Sequence, residues 1–145
     1  MSLQNWLKNG WIVEHETSRQ EIAELLAVAD RNLADSRVAG LSADGRFNFS
    51  YGAALQVATA ALAATGYRAS REAHHFRTLQ TLAYTIDADA SLIEQMDHFR
   101  KKRNVAGYER AGTISDTEAR EMTDIAEQLL HALRARLRKL HPKLM

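Results

Sequence analysis

The sequence predicts an all-α protein, a five-helix antiparallel up-and-down bundle with a short N-terminal arm. Three observations carry that expectation. The only proline among 145 residues is Pro142, so no proline interrupts a helix ahead of it. The long middle segments are dominated by alanine, leucine, glutamate, arginine and glutamine, which lose little conformational freedom in a helix. Apolar positions recur at helical spacing between polar turns, and no stretch shows the clear alternation of a half-buried strand.

A hydrophobic content of 46% is enough for one domain with a real core, divided here into an arm at 1–17 and a bundle at 18–145. The 19 basic and 18 acidic side chains give a net charge of +1, so attraction to nucleic acid has to come from local clustering. The chain has no cysteine, which excludes disulfides, thiolate metal sites and cysteine nucleophiles and fits a cytoplasmic location. No apolar run approaches the roughly 20 residues that cross a bilayer, and the first residues lack a basic region followed by an apolar one. No membrane association is expected.

The arm, Leu3 to Val13, forms one or two helical turns that Gly10 interrupts, with Trp6, Trp11 and Ile12 capping an open end of the bundle. Ser18-Arg19-Gln20-Glu21 is a capping box and starts the first long helix, in which Ile22, Leu25, Leu26, Ala29 and Leu33 share a face. Asp44-Gly45 supplies a tight bend. From Arg46, FNFSYGAALQVATAALAATG is almost all small or apolar and reads as the central helix, with Gly66 as its stop and Asn48 and Tyr51 near its start.

Ser70 opens a third helix, REAHHFRTLQTLAYTI, with His74 and His75 in its first turn. Adjacent histidines point about 100° apart and no second ligand set is spaced to join them, so no metal site is expected. A neutral imidazole is better suited to lining a polar pocket as donor, acceptor or base. The fourth helix begins near Asp89 or Ala90 and ends around Gly107. Ser115-Asp116-Thr117-Glu118 is a second capping box and launches the last helix, whose tail carries Arg134, Arg136, Arg138, Lys139 and Lys143.

The fourth helix carries the chemistry. Leu92, Met96 and Phe99 form an apolar stripe, and Arg103 continues it. An arginine at a core-facing position cannot shed its charge; it needs a carboxylate, a carbonyl, an aromatic face or an anionic ligand. Arg100, Asn104 and Tyr108 form the neighbouring row. Five residues of continuous helix turn Tyr108 about 140° from Arg103, so a shared site requires the helix to bend or end ahead of Tyr108, or two copies to meet across a dimer interface.

The alanine-rich helix beginning FNFSYGAALQVA, the passage GYRASREAHHFRTL and above all HFRKKRNVAGYE ahead of a capped final helix resemble the HEPN superfamily (higher eukaryotes and prokaryotes nucleotide-binding domains) over about residues 18 to 140. The resemblance implies a homodimer that binds RNA or a nucleotide, and a toxin–antitoxin component paired with a nucleotidyltransferase-like antitoxin. It also implies metal-independent RNA cleavage without a cofactor. The family motif is an arginine, often followed directly by a polar residue, and then a histidine four to six residues after the arginine. Arg103 and Asn104 match its beginning, and Tyr108 stands at the histidine's position. If cleavage is retained, Arg103 stabilises the transition state while Asn104 and Tyr108 position the phosphate. Arg100, His74, His75 and Tyr51 then contact the substrate. Tyrosine, with a reference pKa near about 10, is a poor base at neutral pH, so His74, His75 or His98 would move the proton. Two further readings stand beside this: binding with weakened or absent ribonuclease activity, and a non-catalytic dimerisation module in which Arg103 pairs with Asp97 or Glu109 of a second subunit.

Overall fold

Three serines start the helices that build the core. Ser18, Ser42 and Ser115 each take an extended backbone, and each hydroxyl accepts the amide three residues on, satisfying one of the donors a helix start leaves open. They launch α2 (Arg19–Ser36), α3 (Ala43–Thr65) and α7 (Asp116–Leu140), whose numbers follow a short α1 (Leu3–Lys8) in the arm. The computed structural model describes residues 2–71, 74–108 and 114–145, and their side chains except those of His74 and 104–108.

Helix α3 lies between α2 and α7 and packs along both. Its buried residues run round most of its circumference, from Phe47 and Tyr51 through Val57 and Ala58 to Leu62. Small side chains allow the close approach: a Cβ added at Gly52 would stand 3.1 Å from the Asn32 side chain of α2. From α7, Met122, Ala126, Leu129, Leu133 and Leu137 close the core.

The remaining elements sit against this three-helix layer. They are α4 (His74–Gln80), α5 (Leu82–Thr85), α6 (Ala90–Tyr108) and a terminal 3-10 turn (Pro142–Leu144). Helix α4 packs on both α3 and α6. Two short strands, β1 (Ile12–Glu14) and β2 (Tyr67–Ala69), pair antiparallel with Val13 opposite Arg68. Gly66, at φ 103°, ends α3 in the left-handed conformation and turns the chain into β2.

The chain is mostly helical, in line with the expected class, but several details differ from the sequence reading. The β1–β2 pair was not expected; strands of three residues are too short to show alternation. The third expected helix does not open at Ser70, whose hydroxyl donates to the Gly10 carbonyl; it is described from His74 and is divided at Thr81 into α4 and α5, and α1 is a further short helix, so the described helices exceed the five expected. Asp44 and Gly45 make no bend: both lie in the first turn of α3, which starts ahead of Arg46. At Ser18 only half of the capping box forms, because the Glu21 carboxylate accepts from Thr17 at 2.6 Å and meets His15 at 2.8 Å. The box at Ser115 is complete. Trp6 and Ile12, with Trp11 and Tyr84 against them, form a second apolar cluster with Leu62 and Ala69, so the tryptophans seat the arm on β2 and α5.

Candidate functional site

The expected stripe on α6 is present. Met96 and Phe99 are buried, and the Phe99 ring meets Phe47 edge-on at 5.4 Å. One turn later Arg103 places its guanidinium carbon 5.0 Å from the centre of the Tyr51 ring. The i, i+4 spacing on α3 stacks Phe47 on Tyr51 at 6.4 Å. Arg103 is therefore half-buried over an aromatic face, the third of the four options open to such an arginine.

That contact leaves hydrogen-bonding capacity unused. Tyr51 is 1% exposed, yet its hydroxyl has no partner among the described residues, and neither has the Arg103 Nε. An unmatched buried donor costs roughly 1–3 kcal/mol. Both groups therefore call for an acceptor, from a ligand, from water or from residues outside those described. Burial pushes the Tyr51 hydroxyl above its ordinary pKa; the nearby Arg103 and Arg100 charges oppose this and Asp97 adds to it. The phenol stays neutral at pH 7 and serves as a donor, not as a base.

The other cations of α6 are paired. Arg100 donates to Asp97 at 2.9 Å, Lys101 lies 3.3 Å from the same carboxylate, and Lys102 donates to Glu118 of α7. Burial raises the Asp97 pKa, but hydrogen bonds from Arg100 and Lys101 outweigh it and hold the carboxyl below its usual range. The Lys102 ammonium likewise holds Glu118 low. Arg103 has no ion pair with a described carboxylate. This is the difference that singles it out.

Helix α4 completes the cluster. The His75 ring lies 6.4 Å from the Tyr51 ring, and Phe76 lies under the Arg100 guanidinium at 5.1 Å. Of the residues singled out in the sequence, Tyr51, His75, Arg100 and Arg103 thus come together. His98 does not join them: it is exposed, with its ring against Phe99. His74, Asn104 and Tyr108 belong to the helical backbone of α4 and α6, but their side chains lie outside those described, as does Glu109. Helix α6 continues through Gly107 to Tyr108 instead of ending ahead of it. Within the chain, Asp97 serves Arg100 and Lys101, not Arg103.

Sequence reasoning missed Arg77, which stands 3.9 Å over the Trp11 ring and 5.9 Å from Trp6. No local spacing signals that pairing, because it depends on the arm folding back over α4. Two surface hollows lie elsewhere. One of about 480 Å³ is lined by Glu14, His15, Gly66 and Tyr67; another of about 400 Å³ lies beside Arg37, Arg46 and Arg120. In the second, Arg37 pairs with Glu127 and Arg46 with Asp116. Among the described residues no group of three acidic or histidine side chains could hold a metal ion, and no helix is long and apolar enough to cross a membrane.

No family model, curated protein or solved structure matches this chain.

Proposed function

We propose that this chain is a HEPN-like helical domain that binds the phosphate of RNA or of a nucleotide at Arg103, with ribonuclease activity weakened or absent, as a homodimeric toxin–antitoxin component partnered by a nucleotidyltransferase-like antitoxin. One observation carries the binding reading. A half-buried arginine without a described carboxylate partner lies over a buried tyrosine whose hydroxyl is also unmatched. A phosphate oxygen would accept from both and pair with the charge, which a neutral ligand would not do. The weakened activity follows from Tyr108 at the motif histidine's position.

The test is binding of 5′-nucleotides and short RNA by purified protein across a salt series, beside Arg103→Ala. Affinity that falls steeply with salt and is lost in the variant is expected, since phosphate contacts release counterions. Equal binding by the variant would overturn the assignment.

A second reading keeps cleavage, and the position of His75 beside Tyr51 favours it. The 2′-hydroxyl would attack the adjacent phosphate with the imidazole taking its proton and Arg103 stabilising the charge on the transition state. The P–O5′ bond would break, leaving a 2′,3′-cyclic phosphate on one fragment and, with a proton from water, a 5′-hydroxyl on the other. Incubating single-stranded RNA in chelator with wild type, Arg103→Ala, His75→Gln and Tyr108→His separates the readings. Cleavage by wild type that Arg103→Ala abolishes supports the enzyme, whereas activity only in Tyr108→His supports a scaffold that lacks its base.

A further inference from the structure

Cations and aromatic rings alternate across α4 in a ladder from Trp11 to Arg100, with a separate pair, Arg103 and Tyr51, beyond them. Trp11 of the arm meets Arg77 at 3.9 Å, Arg77 meets Phe76 at 5.9 Å, and Phe76 meets Arg100 at 5.1 Å. Arg103 follows one turn along α6, over Tyr51. Each step is within the range at which a cation is attracted to a ring.

The charge around this ladder is one-sided. Among the described residues of β2, the turn after it, α4 and the stretch 97–103, the cations are Arg68, Arg71, Arg77, Arg100, Lys101, Lys102 and Arg103. Asp97 is the acid described there, the sequence of the turn adds Glu72, and Lys102 is matched by Glu118, which still leaves the cations in excess. In a chain of net charge +1 this is a pronounced local excess, of the kind that attracts a polyanion. Arg77 has no ion pair with a described carboxylate, and Trp11, Phe76 and Arg77 are all partly exposed. A stripe built only to seat the arm would need neither the excess charge nor a guanidinium without a described carboxylate partner.

We infer that the ladder and this pair form a binding track for single-stranded RNA, running from Arg103 over Phe76 to Arg77 and Trp11, with bases stacking on its rings and guanidinium planes while the flanking cations follow the phosphates. Stacking of this kind tolerates any sequence, because every base has a π face. The inference deepens the Arg103 reading and rests on it for one end of the track. It names a strand of several nucleotides as the ligand where a mononucleotide would fill only the Arg103 end.

The experiment is fluorescence anisotropy with labelled oligouridylates, one a dinucleotide and one of about ten nucleotides, within the usual span of single-strand sites. The full chain is compared with Trp11→Leu, Arg77→Gln and Arg103→Ala, and circular dichroism confirms that each variant is folded. Wild type is expected to bind the longer strand more tightly. Trp11→Leu and Arg77→Gln each lose about fivefold or more on the long strand and nothing on the dinucleotide. Arg103→Ala weakens both. Arg77→Gln removes the guanidinium at a partly exposed position and leaves Trp11 in place, so it reports on the track even if Trp11→Leu loosens the arm. Equal affinity of wild type for the two lengths, or long-strand binding unchanged in both Trp11→Leu and Arg77→Gln, overturns the track. Long-strand binding that Arg77→Gln reduces and Arg103→Ala does not would instead remove the Arg103 reading and leave the arm end standing.

Discussion

The α2–α3–α7 layer and the α4–α6 side treat polar groups in opposite ways. In the layer, buried hydroxyls are matched: Ser50 meets Thr123 at 2.6 Å, and Ser36 donates to the Leu33 carbonyl at 2.6 Å. Three of its arginines, Arg46, Arg134 and Arg136, reach carboxylates, Arg134 with both oxygens of Asp30. Arg46 and Arg136 leave Nε unmatched there, but another nitrogen of each is paired. Where α4 and α6 cover α3, the hydroxyls of Thr78, Thr85 and of Tyr51 on α3 itself, and the Arg103 Nε, have no described partner. The packing of the layer supplies stability; the face where α4 and α6 meet Tyr51 of α3 holds hydrogen-bonding capacity that no described residue uses, the expected mark of a site.

The sharpest way to break this contrast is to truncate one residue on each side. Met122→Ala or Leu133→Ala, both fully buried, should cost about 2–5 kcal/mol by denaturant unfolding. Tyr51→Phe removes an unmatched hydroxyl and keeps the ring under Arg103, so stability should stay within about 1 kcal/mol or rise while phosphate affinity falls. A Tyr51→Phe loss as large as the core truncations would mean that the hydroxyl has a structural partner.

Arginine truncation gives the next largest effect. Arg103→Ala should weaken nucleotide binding by about tenfold or more, or ~1.4 kcal/mol, with little change in unfolding midpoint. Arg100→Ala should cost less affinity because part of its charge is committed to Asp97. Affinities measured at one salt concentration decide this; the reverse order would move the site toward Arg100.

Ser115→Ala tests whether the two sides are energetically separate. Loss of a complete capping box should cost about 1 kcal/mol and leave ligand affinity unchanged. The smallest expected effect is on pH dependence. Hydrogen bonding from Lys102 depresses Glu118 in the folded state, so the folded pKa lies below the unfolded one. The stability this contributes is fully present above the ordinary carboxylate pKa and is lost as pH falls through the folded value. Thermal melts between neutral and acid pH should therefore show a shallower acid decline in Glu118→Gln.

What the sequence made legible was local. The caps at Ser18 and Ser115, the Gly66 stop and the apolar stripes of α2, α6 and α7 depend on neighbours within a few positions and appear where their patterns place them, whereas Ser70, expected to open a helix, donates to the Gly10 carbonyl of the arm instead. Arg103 stood out by the same logic, since a cation on an apolar stripe is visible within two turns. The aromatic face that receives it was not visible, because Tyr51 comes from a helix far away in the chain. The arm illustrates the same limit: Trp6 and Trp11 looked like end caps until β1 met β2 and brought them over Arg77. At Ser18 the local pattern was present, but a competing acceptor network with Thr17 and His15 took the glutamate.

The pairing of β1 with β2 also has a consequence for the order of folding. Strand β1 leaves the ribosome long before β2 is made, and α2 and α3 lie between them. Until β2 emerges, Ile12 and the two tryptophans lack the surface that buries them, while α2 and α3 can already associate as a helical hairpin. A contact spanning so much chain pays its loop-closure entropy last. The arm should therefore dock after the helical layer forms, and its amides in β1 should exchange with solvent faster than those of α3.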